Sequence, residues 1–197
     1  MTVQIKRIGE CAEVLPGLSL KARAEHEPSG THQVIQVKYL KEGVPYVYDD
    51  KEHKLRIKAD KKMDRYEVFP GDVLFISRGV RNEAIVVKEV PEYTVASSSL
   101  YIIRGNKGVE TGYLAWVLEQ PRIKAKIAQV RTGAGTPLVQ RSKLMEMTIP
   151  LPDVETQKKI AQLNKLMAQE RQILNEIIEQ TKSLHDSIGV QLFKEFE

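Results

Sequence analysis

Ile149-Pro-Leu-Pro-Asp-Val-Glu-Thr-Gln157 opens the last quarter of the chain, and an unbroken helical pattern runs on from it to Ile188. Pro150 and Pro152 stop whatever precedes them, because proline lacks an N–H donor and pushes its predecessor toward extended backbone. Asp153 stands where an N-cap is needed, with a carboxylate that can accept from the free amides of a first turn. No Pro or Gly occurs between Asp153 and Gly189. Ile160, Leu163, Met167, Leu174, Ile177, Leu184 and Ile188 fall on a heptad-like repeat whose two polar slots are Glu170 and Thr181. Such a seam is what a helix shows when it lies against another long helix. Residues 153–188 as a helix span roughly 54 Å at about 1.5 Å per residue. That is longer than a small domain is wide, so the sequence predicts a partner helix along the seam. A helix folded back on its own domain is the alternative, and its length stands against it.

The chain has 197 residues and a net charge of +4. This suits one sizeable domain, residues 1–152, followed by the helix, 153–188, and a tail, 189–197, whose Leu192, Phe193 and Phe196 either pack or fray. The charge is uneven. The first 152 residues carry 24 bases against 18 acids, the helix five bases against six acids. A basic body on a nearly neutral arm fits a nucleic-acid-binding domain with a dimerisation or docking helix. No apolar run reaches the roughly 20 residues of a membrane span, and the N-terminus lacks a signal-peptide core. Cys11 is the sole cysteine. No disulfide or cysteine metal site is therefore expected, and the cytoplasm is the expected compartment.

Within the body, His32–Leu40 reads as a strand. Val73–Ile76 and Glu83–Val90 read as a hairpin, and Tyr93–Ile103 as strand interrupted at Ser97–Ser99. Thr111–Glu119 and Pro121–Val130 read as two helices, the second with proline at its start. Residues 41–65 are polar and charged, the least determined part. The fold class is α+β: a mixed-sheet domain followed by a long coiled-coil helix.

The sequence holds no catalytic constellation. His26, His32, His53 and His185 have no metal-ligand spacing. Gly133-Ala-Gly-Thr lacks the Gly-Lys-Ser/Thr ending of a phosphate loop, and no Gly-x-Ser-x-Gly elbow occurs. The carboxylates of Pro152-Asp-Val-Glu-Thr-Gln-Lys158 sit at a helix start, where capping explains them. No metal or cofactor is called for. Binding candidates are clearer. In the tip Arg78-Gly-Val-Arg-Asn82, arginine's fork matches guanine and asparagine matches adenine, while glycine admits a close phosphate. Arg78, Gly79, Arg81 and Asn82 are the DNA-contact candidates there; the bland reading is a hairpin turn with solvated arginines. Arg131, Thr132 and Gly133 offer amides and a guanidinium to a phosphate, or a helix C-cap. Lys21, Arg23 and Lys38 are weaker candidates.

Four segments in order carry a resemblance: Gly71-Asp-Val-Leu-Phe-Ile-Ser-Arg-Gly79, Gly112-Tyr-Leu-Ala-Trp-Val-Leu118, Gly133-x-Gly-Thr-Pro137, and Leu144 to Ala161 with its Ile-Pro-Leu-Pro and Gln-x-x-Ile. Together they resemble the specificity subunit of type I restriction-modification systems, as one target-recognition domain with its spacer helix. The resemblance implies a non-catalytic subunit that reads double-stranded DNA in the major groove. Its helices pair as an antiparallel coiled coil, and an adenine-N6 methyltransferase subunit docks on it, with the restriction subunit a further partner. A full subunit of that family has two such domains and two helices, whereas this chain has one of each. The expectation is a homodimeric half-subunit reading a bipartite palindrome through residues 153–188. A fragment that needs another half remains open, as do a coiled-coil adaptor with a basic domain and a self-sufficient methyltransferase or nuclease.

Overall fold

The computed structural model describes residues 3–20, 26–53, 55–58 and 63–196. In chain order the strands and helices are β1 (Gln4–Arg7), α1 (Ile8–Cys11), β2 (Ala12–Pro16), β3 (His32–Ile35), β4 (Tyr46–Val47), β5 (Arg56–Ile57), β6 (Val73–Ile76), β7 (Ala84–Glu89), β8 (Thr94–Ala96), β9 (Leu100–Gly105), α2 (Thr111–Leu118), α3 (Pro121–Gln129), β10 (Arg131–Thr132), β11 (Leu138–Val139), α4 (Arg141–Glu146), β12 (Thr148–Leu151) and α5 (Val154–Lys194).

The run Val73-Leu-Phe-Ile76 is wholly buried because β6 lies inside a five-stranded sheet covered on both faces. Side chains alternate across a strand. Val73 and Phe75 pack with Tyr113, Leu114, Val117 and Leu118 of α2 on one face. Leu74 and Ile76 pack with Ile35, Leu40 and Ala96 on the other. The sheet order is β2-β9-β6-β7-β4, antiparallel except where β4 runs parallel to β7. A second sheet, β5-β3-β8, mixes both senses, with β3 parallel to β8 and antiparallel to β5. The body is thus α+β with mixed sheets, as the sequence predicts.

Two strands are shorter than their sequence patterns. His32–Leu40 is extended only to Ile35, whose carbonyl accepts from the Ser97 amide; the chain then makes a 3-10 turn over Val37–Tyr39 and buries Leu40. Tyr93–Ile103 divides at Ser97–Ser99 into β8 and β9, which belong to different sheets. Inside residues 41–65 the order comes from aromatic packing. The His53 ring is buried and stacks on Tyr48 with centroids 4.9 Å apart, and it also touches Tyr39 and Tyr46.

The Ile-Pro-Leu-Pro segment is the joint between body and helix. Ile149 is fully buried, and the Tyr113 hydroxyl donates to the Pro150 carbonyl at 2.6 Å. The Asp153 carboxylate accepts from the Thr156 amide at 2.9 Å, the expected cap. That bond and the Thr156 hydroxyl hold the Asp153 carboxyl below the usual carboxylate range. Gln157 is buried: its side-chain oxygen accepts from the Glu110 amide at 3.0 Å, and its nitrogen donates to the Pro152 carbonyl at 2.8 Å. A side chain on Gly112 would come within 3.0 Å of the Ala161 Cβ, so this small pair lets α2 and α5 meet closely. The helix does not end at Ile188. It continues through Gly189 to Lys194 and takes most of the expected tail with it. One glycine costs a helix only about 1 kcal/mol, and no proline follows to stop it.

Candidate nucleic-acid interface

The β6–β7 tip and the glycine loop after Arg131, far apart in sequence, form one surface. β11 runs along the end of β6: the Val139 amide donates to the Ser77 carbonyl at 2.9 Å, and the Gly79 amide donates to the Pro137 carbonyl at 2.8 Å. Gly79 takes φ +92° and Gly133 φ +102°, left-handed conformations that favour glycine. The Tyr101 hydroxyl braces the same strand by donating to the Val139 carbonyl at 2.9 Å.

The polar side chains of the tip divide into two groups, and three of the expected DNA contacts, Arg81, Asn82 and Arg131, have partners within the chain. Asn82 is buried. Its nitrogen donates to the Ile76 carbonyl at 2.9 Å and its oxygen accepts from Arg131 Nε at 2.6 Å. Arg131 also donates to the Val80 carbonyl at 2.8 Å, so its guanidinium ties the glycine loop to the tip. Arg81 makes a two-pronged pair with the buried Glu83, at 2.6 and 2.8 Å, and donates to the Leu40 carbonyl at 2.6 Å. The Glu83 hydrogen bond holds the Arg81 guanidinium above its ordinary value. Asn82 is turned inward and Arg131 is half-buried, whereas Arg81 keeps 42% of its side chain exposed while it pairs with Glu83. In sequence nothing distinguishes an arginine that will meet a carboxylate and a distant carbonyl from one that will stay in water.

Arg78 is the arginine of the tip that stays free. It is exposed, and among the described residues its guanidinium has no hydrogen bond or ion pair. Arg78 bridges Leu138, whose other side pairs with Thr132, and both Thr132 and Gly133 are exposed. Thr132 donates to the Leu138 carbonyl at 3.3 Å. Lys38 is exposed on the 3-10 turn, its ammonium 4.8 Å from the Tyr39 ring centroid, and the Arg81–Leu40 bond draws that turn toward the tip. Lys21 and Arg23 lie outside the described residues.

α5 presents the second surface. Gln157, Ile160, Ala161 and Ala168 face the body, and Ile160 packs partly into its core, so this member of the seam is already occupied. Leu163, Met167, Leu174, Ile177, Leu184 and Ile188 remain between 45% and 59% exposed. At about 100° per residue the seam lies more than a third of a turn from the body-facing side. On another flank, small residues (Ala84 and Ala115 of the body, Ala161 and Ala168 of α5) leave a cleft of about 820 Å³. Among the described residues no group of His, Cys, Asp and Glu is placed to hold a metal ion, and no helix is long and apolar enough to cross a membrane.

Residues 1–182 match the profile of the type I restriction modification DNA specificity domain. The chain belongs to that family. Solved specificity subunits share the fold. The S subunit of the type I system from M. genitalium is 15% identical over 94% of this chain and 44% of its own, with TM-score 0.60. The HsdS subunit from Thermoanaerobacter tengcongensis is 19% identical over 85% and 38%, with TM-score 0.56. A chain from work on complex assembly and conformational transition of the type I system is 18% identical over 92% and 42%, with TM-score 0.67. This specificity domain therefore spans less than half the length of each solved relative. No curated protein matches it.

Proposed function

We propose that this chain is a non-catalytic, sequence-specific DNA-recognition subunit of a type I restriction-modification complex, working in the cytoplasm as a homodimer. The observation that carries the reading is the uncovered seam of α5 on a helix fixed at its base to the α+β body. A second copy covers that seam, and two-fold symmetry then places two identical reading surfaces on one duplex. The site is accordingly an inverted repeat split by a spacer whose length the rigid helices set. The basic body supplies the sequence-independent attraction to phosphates. The tip around Arg78, with the backbone of residues 132–136, does the reading. Adenine-N6 methylation belongs to a separate modification subunit docked on this one, and the restriction subunit joins that complex.

The test is affinity purification of the chain from its own cells, followed by mapping of methylated adenines. Recovery of an adenine methyltransferase and a methylated bipartite inverted repeat is the expected result. Recovery of the chain alone, or with proteins that have no DNA chemistry, refutes the reading and favours an adaptor with a basic body.

A further inference from the structure

The apex of the β6–β7 tip carries an apolar side chain where a solvated turn would carry a polar one. Val80 is 70% exposed. Its backbone is held from both sides: Arg131 donates to the Val80 carbonyl at 2.8 Å, and the neighbouring Gly79 amide donates to the Pro137 carbonyl at 2.8 Å. Asn82, two residues on, is buried and bonded at both ends of its amide. The tip is therefore pinned, and valine's branched Cβ restricts χ1 further, so the two methyl groups are offered in one orientation. The chain neighbours of Val80 are Gly79, held to Pro137 of the glycine loop, and Arg81, while Arg78 and Arg81 are both exposed. A rigid apolar knob two residues from an exposed, unpaired guanidinium suits a polar partner that bears an isolated methyl group.

Resting on the DNA-reading role proposed above, we infer that Val80 is a specificity-determining residue that packs against the C5-methyl group of a thymine in the major groove of each half-site. Apolar side chains distinguish thymine there by its methyl group. The neighbouring Arg78 supplies the polar half of the contact, to a phosphate or to an adjacent guanine, and orients the knob. Arg81, Asn82 and Arg131 act through the backbone as positioning residues.

The experiment is a coupling between one protein side chain and one base methyl. The recognised sequence is first found by selection from random duplexes with the purified protein, together with any subunit that co-purifies. Each thymine is then replaced by deoxyuridine, which removes the methyl and nothing else. Dissociation constants are measured by fluorescence anisotropy at fixed salt for the native protein and V80A. At one thymine per half-site the replacement should weaken native binding about fourfold, the effect of one methyl-sized group, and roughly sixteenfold when made in both halves. V80A should bind the thymine duplex as weakly as the native protein binds the deoxyuridine duplex, and should be indifferent to the replacement. Its salt dependence should stay unchanged, because no phosphate contact is lost. A site without thymine, or equal sensitivity to deoxyuridine in native and V80A proteins, overturns this inference while leaving DNA reading intact. Absence of any sequence preference overturns both.

Discussion

Leu174 lies near the middle of the exposed seam from Leu163 to Ile188, so in an antiparallel two-fold pair it sits close to the two-fold axis and to its own copy. It is 52% exposed in the single chain. About half the free energy of burying a leucine, roughly 0.8–1.5 kcal/mol, is therefore still available to a partner. Symmetry doubles any substitution. Leu174→Ala should weaken the dimer by about 1.5–3 kcal/mol, on the order of tenfold to a hundredfold in dissociation constant. Leu174→Asp should weaken it further, since it sets two carboxylates against each other in an apolar seam. The fold of the single chain should not change, because Leu174 is half exposed and belongs to none of the buried core clusters. Asn175→Asp, one position off the seam, is the control. Sedimentation equilibrium across micromolar concentrations reads the constants, and far-ultraviolet circular dichroism reads the fold. A native protein that is monomeric at tens of micromolar, or a Leu174→Asp dimer as tight as the native one, would falsify the seam as the dimer interface.

Gln157→Leu removes both hydrogen bonds at the joint and strands the Glu110 amide and Pro152 carbonyl. Urea denaturation should show a loss of about 2–4 kcal/mol, and a loss under 0.5 kcal/mol contradicts the bracing role. Asn82→Ala should destabilise the body by about 1–3 kcal/mol in the same assay, since it unties the buried amide network. Arg78→Ala should leave the melting temperature unchanged while weakening duplex binding by about 1–3 kcal/mol; a stability loss instead would mark Arg78 as a strut like Arg81. The Asp153 carboxyl is held down in the folded chain, so its stabilisation is complete above the unfolded value of about 3.9. It fades as pH falls through the lower folded value. Melting temperatures taken through that acid range should drop less steeply for Asp153→Ala than for the native protein.

The long helix, its capped start and the heptad spacing of its apolar residues were legible in the sequence, because they depend on neighbours within a turn or two. The fully apolar Val73–Ile76 strand, the proline-led helix α3 and the α+β class were legible for the same reason, and the ordered segments from Gly71 to Ala161 carried the family. Three things needed the tertiary structure. The face of α5 that packs on the body is chosen by Ala161 against Gly112 and by the buried Gln157, and periodicity alone does not separate that face from the seam. The helix also runs past Gly189, where one unfavourable residue is outweighed by the turns on either side. Last, the tip residues were sorted by contacts that span long stretches of chain. Arg131 reaches back 49 positions to Asn82, and Arg81 reaches 41 to Leu40. A guanidinium's partner is set by where remote carbonyls and carboxylates converge, and that convergence leaves no trace in the spacing of residues along the chain.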